Sequence, residues 1–332
     1  MTGWLLLSDR EWPVAASLPD RLTAGTLVME MSWPLPAGVL LDWRGPQGQA
    51  LSLFHHPHSG LALLWREGAV LRRFLLPGLL RLDGRTARLL FRWSDAEGTW
   101  QMRLDDGLDA TVATTCGLQP PVFDSAMLAQ LCAGQGVTRR ESSVLWFGIT
   151  AGVTPPVRAA WIGLSTPIPT LDGLVPAGTL RPGQWVVTRD AGPVRLREVR
   201  RMDMPSRGSH AAIVLRAPFF ARSTDLLVSA DQLVGIAGLE AEYLFGEDEV
   251  LVAAGALVDG RTALADNRRA TAAGVSLDLG GLYLIDSLGC TLMSAHHGAA
   301  AQMPILPLRA LQEYEALPLM SLLRRLKSSD AA

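Results

Sequence analysis

From about Gly25 to Thr115, short apolar stretches alternate with polar and turn residues: TLVMEMSW, GVLLDW, ALSLFHH, GLALLWRE, AVLRRFLL, ARLLFRW and TWQMRL. Runs of this length and alternation predict β-strands that turn one face to a core. The breaks between them carry Gly45-Pro46-Gln47-Gly48, Asp83-Gly84 and Asp106-Gly107, and glycine accepts the positive φ that hairpin turns demand. A strand with a single apolar face must pair that face with another sheet, so the pattern predicts an antiparallel β-sandwich. One helix interrupts it. Asp124 or Ser125 caps Ala126 to Ala133, where Met127, Leu128, Leu131 and Cys132 form an apolar stripe before Gly134. Strand character returns from Ser143 to Ile149.

Past Thr154-Pro155-Pro156 the pattern changes. PAGTLRPGQWVVTRDAGPVRLREVRR reads as turn, strand, turn, strand, and similar short β-branched runs continue between Pro-Gly, Asp-Ala-Gly and Asp-Gly turns. This predicts a second all-β unit of bent, paired strands with few helices. Residues Leu306 to Leu326 close it as a helix, with Leu308, Leu311, Tyr314 or Glu315, and Leu322 at helical spacing, and Pro318 kinks or splits that helix. The expected organisation is a sandwich over 1–155, a second domain over 161–326 and a tail over 327–332.

The composition fits globular domains. Of 332 residues, 48% are apolar and 19% charged, which excludes a disordered tail or a collagen. Thirty basic side chains face 32 acidic ones, and Lys327 is the only lysine, so the basic footprint of a nucleic-acid binder is missing. Cys116, Cys132 and Cys290 are far apart and form no CxxC, arguing against a disulfide framework or a cysteine-rich zinc site. No apolar run reaches the roughly 18 residues of a membrane span. The opening MTGWLLLSDREWP lacks a basic region and a small-residue cleavage site, so no Sec signal is expected. Cytoplasmic location and export by a route without a signal peptide both stay open.

In the first half, the strand order, the tryptophan placement and the closing WFGITAGVTPPVRAAWIG resemble the concanavalin-like jelly-roll modules that often bind glycans. That resemblance covers about residues 1–155 and carries over no ligand residue. Trp65, Trp93 and Trp100 are the candidates for stacking on sugar faces, although their place within apolar alternation favours the core. A polysaccharide hydrolase would need paired carboxylates; Asp95, Glu97, Asp105 and Asp106 fall in segments that read as solvated turns. His55, His56 and His58 in FHHPHSG, and the pair His296-His297, are the imidazole clusters. Both read as loops, and neither is expected to hold a metal. No cofactor is expected.

Seven blocks in the second half occur in one order: Ile168-Pro-Thr-Leu-Asp-Gly173; Leu180-Arg-Pro-Gly183 with Trp185-Val-Val-Thr-Arg-Asp190; His210-Ala-Ala-Ile-Val-Leu-Arg-Ala217; Asp225-Leu-Leu-Val-Ser229; Leu244-Phe-Gly-Glu-Asp-Glu-Val-Leu-Val252; Leu257-Val-Asp-Gly-Arg261; and Leu308-Arg-Ala-Leu-Gln-Glu-Tyr-Glu-Ala316. Together they resemble the Hint domain, the hedgehog/intein autoprocessing module, of the bacterial kind, over about 161–323. The resemblance implies an acyl shift in which a Cys or Ser at the domain's first residue attacks the preceding carbonyl. Counting back from Ile168, that position is Trp161, whose indole carries no nucleophile. A Thr/Ser-x-x-His turn should assist departure of the amine; here it reads Ser229-Ala-Asp-Gln232, with an amide in place of the imidazole. Leu282 and Leu288 stand where related modules carry histidines flanking Asp286, and His210 alone keeps its place.

The leading expectation is therefore a Hint-like domain without autoprocessing, fused to a sandwich, acting as a binding or scaffold protein on a glycan or protein partner. The alternative is self-cleavage near residues 160–165 by an N-to-O acyl shift, with Ser165 or Thr166 as substitute nucleophile. Against it, a displacement of four residues along a strand moves a hydroxyl by roughly 13 Å, far beyond the about 3 Å that attack requires. Cys290 reads as a buried small hydrophobe.

Overall fold

The alternating segments become antiparallel strands because each buries every second side chain while its backbone pairs laterally. A computed structural model gives the fold and describes residues 4–9, 18–82, 86–106, 110–151, 159–220, 223–298 and 305–329. The chain divides into two compact units. One contains every strand up to Thr150 together with Arg207–Ser209, and the other contains the rest from Trp161 onward.

The first unit is the predicted sandwich. Its six-stranded sheet runs in the order Trp4–Leu7, Val144–Thr150, Ala24–Ser32, Thr86–Ser94, Thr99–Asp106, Thr111–Leu118. The five-stranded sheet runs Val137–Arg140, Gly38–Arg44, Ala50–His56, Gly60–Glu67, Val70–Pro77. One core joins them: Leu27, Met29, Phe91 and Trp93 from the first sheet pack with Trp43, Leu53, Leu63 and Trp65 from the second. The Pro46–Gly48 turn ends with Gly48 at φ 76°, as its sequence requires. Asp83, Gly84 and Gly107 lie outside the described residues. The predicted helix is Ser125–Cys132, capped by the Asp124 carboxylate, which accepts the Met127 N–H at 3.1 Å. Its stripe of Met127, Leu128, Leu131 and Cys132 is buried.

Among the described residues, three antiparallel sheets build the second unit. The largest runs Glu198–Pro205, Thr271–Asp278, Ile162–Gly163, Leu226–Val228, Ala212–Leu215, Ala263–Asp266. Four-stranded sheets follow, ordered Gly173–Pro176, Pro167–Thr170, Trp185–Thr188, Gly192–Arg195, and Glu249–Ala253, Leu233–Ala237, Cys290–Met293, Leu284–Ser287. Ile168, Val186, Val228, Val234, Val252, Val275 and Leu292 share one core among them. A short helix, Leu239–Phe245, ends at Gly246 with φ 70° and is too brief to give a periodic signal.

The closing helix departs from its expected bounds. It starts at Glu313 rather than Leu306 and continues unsplit through Pro318 to Ser329. Residues before it are drawn into the sheet: the Leu251 N–H donates to Arg309 O and the Leu311 N–H to Leu251 O, both at 2.8 Å. Backbone groups paired with a strand are not free to make helical bonds. Pro318 deprives only the Tyr314 carbonyl of its donor, and Tyr314 is exposed, where water satisfies that carbonyl. Among the described residues, no helix is long and apolar enough to cross a membrane.

Candidate functional site

Residue 161 is held by the turn that the sequence pairs with it. The Trp161 N–H donates to Ser229 Oγ at 3.0 Å, and the Ser229 N–H donates back to Trp161 O at 2.9 Å. Closing the same turn, the Gln232 N–H reaches Ser229 O at 3.1 Å. The indole is buried and packs over Gly274. Gln232 is buried as well, and its carboxamide Nε2 donates to Met293 O at 2.8 Å and to Leu233 O at 3.0 Å. Both amide hydrogens are thereby engaged by backbone carbonyls. Trp161, Gln232, Ser276, Ile285 and Met293 line a cavity of about 10 Å³, room for no more than one water.

The other candidates from the second half are dispersed. Ser165 is exposed in the turn after Ile162–Gly163, while Thr166 is buried with its N–H on Gly163 O at 3.0 Å; neither lines the cavity at Trp161. His210 is buried just before the strand Ala212–Leu215 and also lies outside that lining. Ile285 faces the cavity, so its neighbour Asp286 projects from the opposite face of the strand. There Asp286 Oδ1 accepts the Gly289 N–H at 2.6 Å and closes a hairpin in which Leu288 takes a left-handed φ of 52°. Leu282 packs beside Leu251, Leu284 and Met293. Cys290 is buried, and that burial, with the nearby Asp286 charge, pushes its thiol up to about 12, leaving no thiolate at neutral pH. A cleft of about 620 Å³ in this unit is lined by Arg189, Ile236, Glu249, Arg261 and Asp286 among others. Its Arg189 is already paired, at 2.8 Å from Glu249 Oε1 and in contact with Thr291 Oγ1.

A second constellation forms where the sequence reads only a loop. In the register of Glu198–Pro205 with Thr271–Asp278, Glu198 stands opposite Asp278 and Arg200 opposite Ser276. Residues two apart share a face, so these four line one patch of sheet. His297 lies across it: Nδ1 is 3.0 Å from Glu198 Oε2 and 3.8 Å from Asp278 Oδ2, and Nε2 is 3.0 Å from Ser276 Oγ. The His297 N–H donates to Asp278 Oδ2 at 3.0 Å. His296 Nδ1 lies 3.9 Å from Asp278 Oδ1. The Arg200 guanidinium, bonded to Glu198 at 2.7 and 3.1 Å, holds that carboxyl below its usual range; partial burial opposes the effect and His297 reinforces it. Strand pairing joins Glu198 to Asp278, 80 positions on, and the later segment carrying His297 folds over the pair, which no local motif announces.

The first unit places the sugar-site candidates and corrects one of them. Trp65 and Trp93 are fully enclosed, and the Trp93 Nε1–H donates to Leu22 O at 3.0 Å, so neither offers a face to a sugar. Trp100 is half-buried, edge-on to Phe74 with ring centroids 5.0 Å apart. Asp105 is no solvated turn residue: it is buried on Thr99–Asp106, 2.7 Å from Arg103, and burial pushes its carboxyl up while Arg103 opposes the shift. Adjacent Asp106 falls on the other face, so the two do not pair. Asp95 and Glu97 are exposed, Glu97 2.8 Å from Arg92. His55 is buried with Nδ1 3.0 Å from Pro36 O, while His56 Nδ1 accepts the His58 N–H at 3.3 Å. Among the described residues these histidines form no ligand group with a carboxylate or cysteine.

Comparison with known proteins gives one family. The Hint domain model matches residues 164–280. Among solved structures, the chain is similar to the MchDnaB-1 intein, at 16% identity over 39% of this chain and 98% of that chain, with a TM-score of 0.25. It is also similar to the Ruminococcus gnavus IT-sialidase CBM40 bound to α2,3-sialyllactose, at 15% identity over 40% and 78% of the two chains and a TM-score of 0.27. A third likeness is to the native heptameric SAP-like pentraxin from Limulus polyphemus, at 13% identity over 45% and 74%, with a TM-score of 0.24. No curated protein matches the sequence. At these scores the structural likenesses decide nothing, whereas the family match, apart from Arg207–Ser209, lies within the second unit. The chain is therefore a Hint (hedgehog/intein) domain-containing protein.

Proposed function

We propose that the Hint domain of this protein has exchanged acyl-shift chemistry for packing, and that the protein works as a binding or scaffold protein, its sandwich taking a glycan or protein partner. One observation carries the reading: the residue bonded to the Ser229–Gln232 turn is a buried tryptophan. An acyl shift needs a sulfur or oxygen nucleophile beside the preceding carbonyl and a group that hands a proton to the departing amine. The indole supplies no such atom, and the Gln232 carboxamide neither gains nor gives up a proton near neutral pH. A partner surface is favoured by the strand Val70–Pro77, which ends its sheet among the described residues and leaves Val70, Leu71 and Leu75 exposed, since a sheet edge is a ready template for pairing.

The test is intact mass on the purified full-length chain, before and after dithiothreitol and hydroxylamine, which attack thioesters and esters. One species near 35.7 kDa, unchanged by either reagent, is expected. Two fragments meeting between residues 160 and 165 would overturn the reading in favour of self-cleavage, and the new terminus would show whether Ser165 or Thr166 acts. Partner screens with the intact chain then address binding.

A further inference from the structure

The contacts Ser276 Oγ to His297 Nε2 and His297 Nδ1 to Glu198 Oε2, each 3.0 Å, have the order of a serine hydrolase relay. Access excludes that use. Ser276 is buried, and the cavity beside it holds about 10 Å³, too little for an acyl group. The other side of the imidazole fits a different ligand.

We infer that Glu198, Asp278 and His297 form a binding site for a divalent transition metal ion of the zinc class. One ligand atom from each of the three lies within 4.8 Å of the others. Tetrahedral bonds of 2.0–2.2 Å require ligand atoms about 3.4 Å apart; His297 Nδ1 stands 3.0 Å from Glu198 Oε2 and 3.8 Å from Asp278 Oδ2, within a few tenths of an ångström of that spacing, and the two carboxylates, within 4.8 Å of each other, close by at most about 1.4 Å around the ion. A ligating imidazole is usually fixed through its other nitrogen, and here Nε2–H has Ser276 Oγ as acceptor when Nδ1 binds metal. Asp278 is fixed too, by the N–H groups of His297 at 3.0 Å and Gly280 at 2.6 Å. Arg200 bonds Glu198 Oε1 at 2.7 Å and, more weakly, Oε2 at 3.1 Å, so the ion takes Oε2 by sharing or displacing the longer contact. Arg200 balances one of the two negative charges, and the exposed pair yields at small cost.

One imidazole with two carboxylates favours zinc, manganese, iron or cobalt over calcium and magnesium, which take oxygen ligands. The Glu198 side chain is 45% exposed, so the fourth position opens to water. On the other oxygen of Asp278, His296 Nδ1 is buried with no hydrogen-bond partner, a further donor at the rim. Bound there, the ion ties residue 198 to residue 297 and closes a loop of about one hundred residues, which restricts the unfolded chain.

The experiment uses the full chain stripped with chelator and titrated with zinc by calorimetry, with cobalt as a spectroscopic probe of coordination. One ion per chain is expected, raising the unfolding midpoint of the second unit by about 5–10 °C at a hundredfold excess over Kd. His297→Ala and Glu198→Gln should each weaken binding about a hundredfold, and Ser276→Ala about tenfold. Glu198→Gln alters an exposed side chain, so it tests the site even if His297→Ala fails to fold. His56→Ala should change nothing. No stoichiometric uptake at about 100 μM zinc, uptake that survives both ligand variants, or uptake abolished by His56→Ala would each overturn the assignment.

Discussion

The indole of Trp161 occupies the space that a side chain at residue 274 would need: a Cβ built on Gly274 would lie 2.2 Å from ring carbon Cε3 and 2.9 Å from Ile162 O. The two positions are coupled sterically across neighbouring strands, since Gly274 pairs with Gly163. Trp161→Ala should destabilise the second unit by about 3–5 kcal/mol through the cavity it leaves. Gly274→Ala should cost about 1–3 kcal/mol by overpacking, and distinctly less once residue 161 is alanine. Urea unfolding of the two single variants and the double variant measures that coupling. Strictly additive costs would show that the ring does not set the requirement for glycine.

Thiol chemistry should separate the cysteines. Cys116 is exposed, while Cys132 and Cys290 are buried, and burial pushes both of their thiols upward. Because only the thiolate attacks, an aromatic disulfide reagent should titrate one thiol in the native chain and three after denaturation. Rapid native labelling of Cys290 would contradict its place in the core.

Much of the fold is legible because burial and alternation coincide. Leu61, Leu63 and Trp65 recur at every second position and all enter the core, and Asp124 announces its helix by cap chemistry that acts locally. The closing helix shows the limit: 306–312 carries helical spacing, yet Arg309 and Leu311 pair with Leu251, a contact about sixty residues away that local periodicity does not encode. The candidate sites divide in the same manner. The register of the blocks singled out Trp161 and the Ser229–Gln232 turn, which the structure shows bonded to each other. The Glu198, Ser276, Asp278 and His297 patch was not, because it exists only once two strands pair and a later segment folds over them.

The cap on the first-unit helix gives a small, clean effect. Asp124 accepts the Met127 N–H at 3.1 Å, satisfying one of the donors that a helix start leaves open. Asp124→Ala should lower the stability of that unit by about 1 kcal/mol, whereas Asp124→Asn, also a good cap, should lower it by no more than a few tenths. Denaturant midpoints compared among the three chains decide this. Equal losses would assign the effect to the negative charge rather than to the cap.

The turn at Asp259 should make the second unit sensitive to acid. Its Oδ1 accepts N–H groups from Arg261 at 2.8 Å, Thr262 at 2.7 Å and Ala263 at 3.2 Å, and Oδ2 accepts the Thr262 hydroxyl at 2.8 Å. Burial by itself would raise this carboxyl, but those donors favour the charged form and the net shift is below the ordinary value of 3.8. The folded chain therefore releases this proton more readily than the unfolded one, so the stabilisation is complete above the ordinary carboxylate range and is lost as pH falls through the lowered folded value. Asp259→Asn keeps one acceptor oxygen and loses the charge, so it should be less stable than the parent at pH 7 by about 1–3 kcal/mol. The gap should narrow on acidification from about pH 5 to pH 2. Urea unfolding across that range tests the sign: a gap that stays constant or widens in acid would show that the charge on Asp259 does not hold this turn.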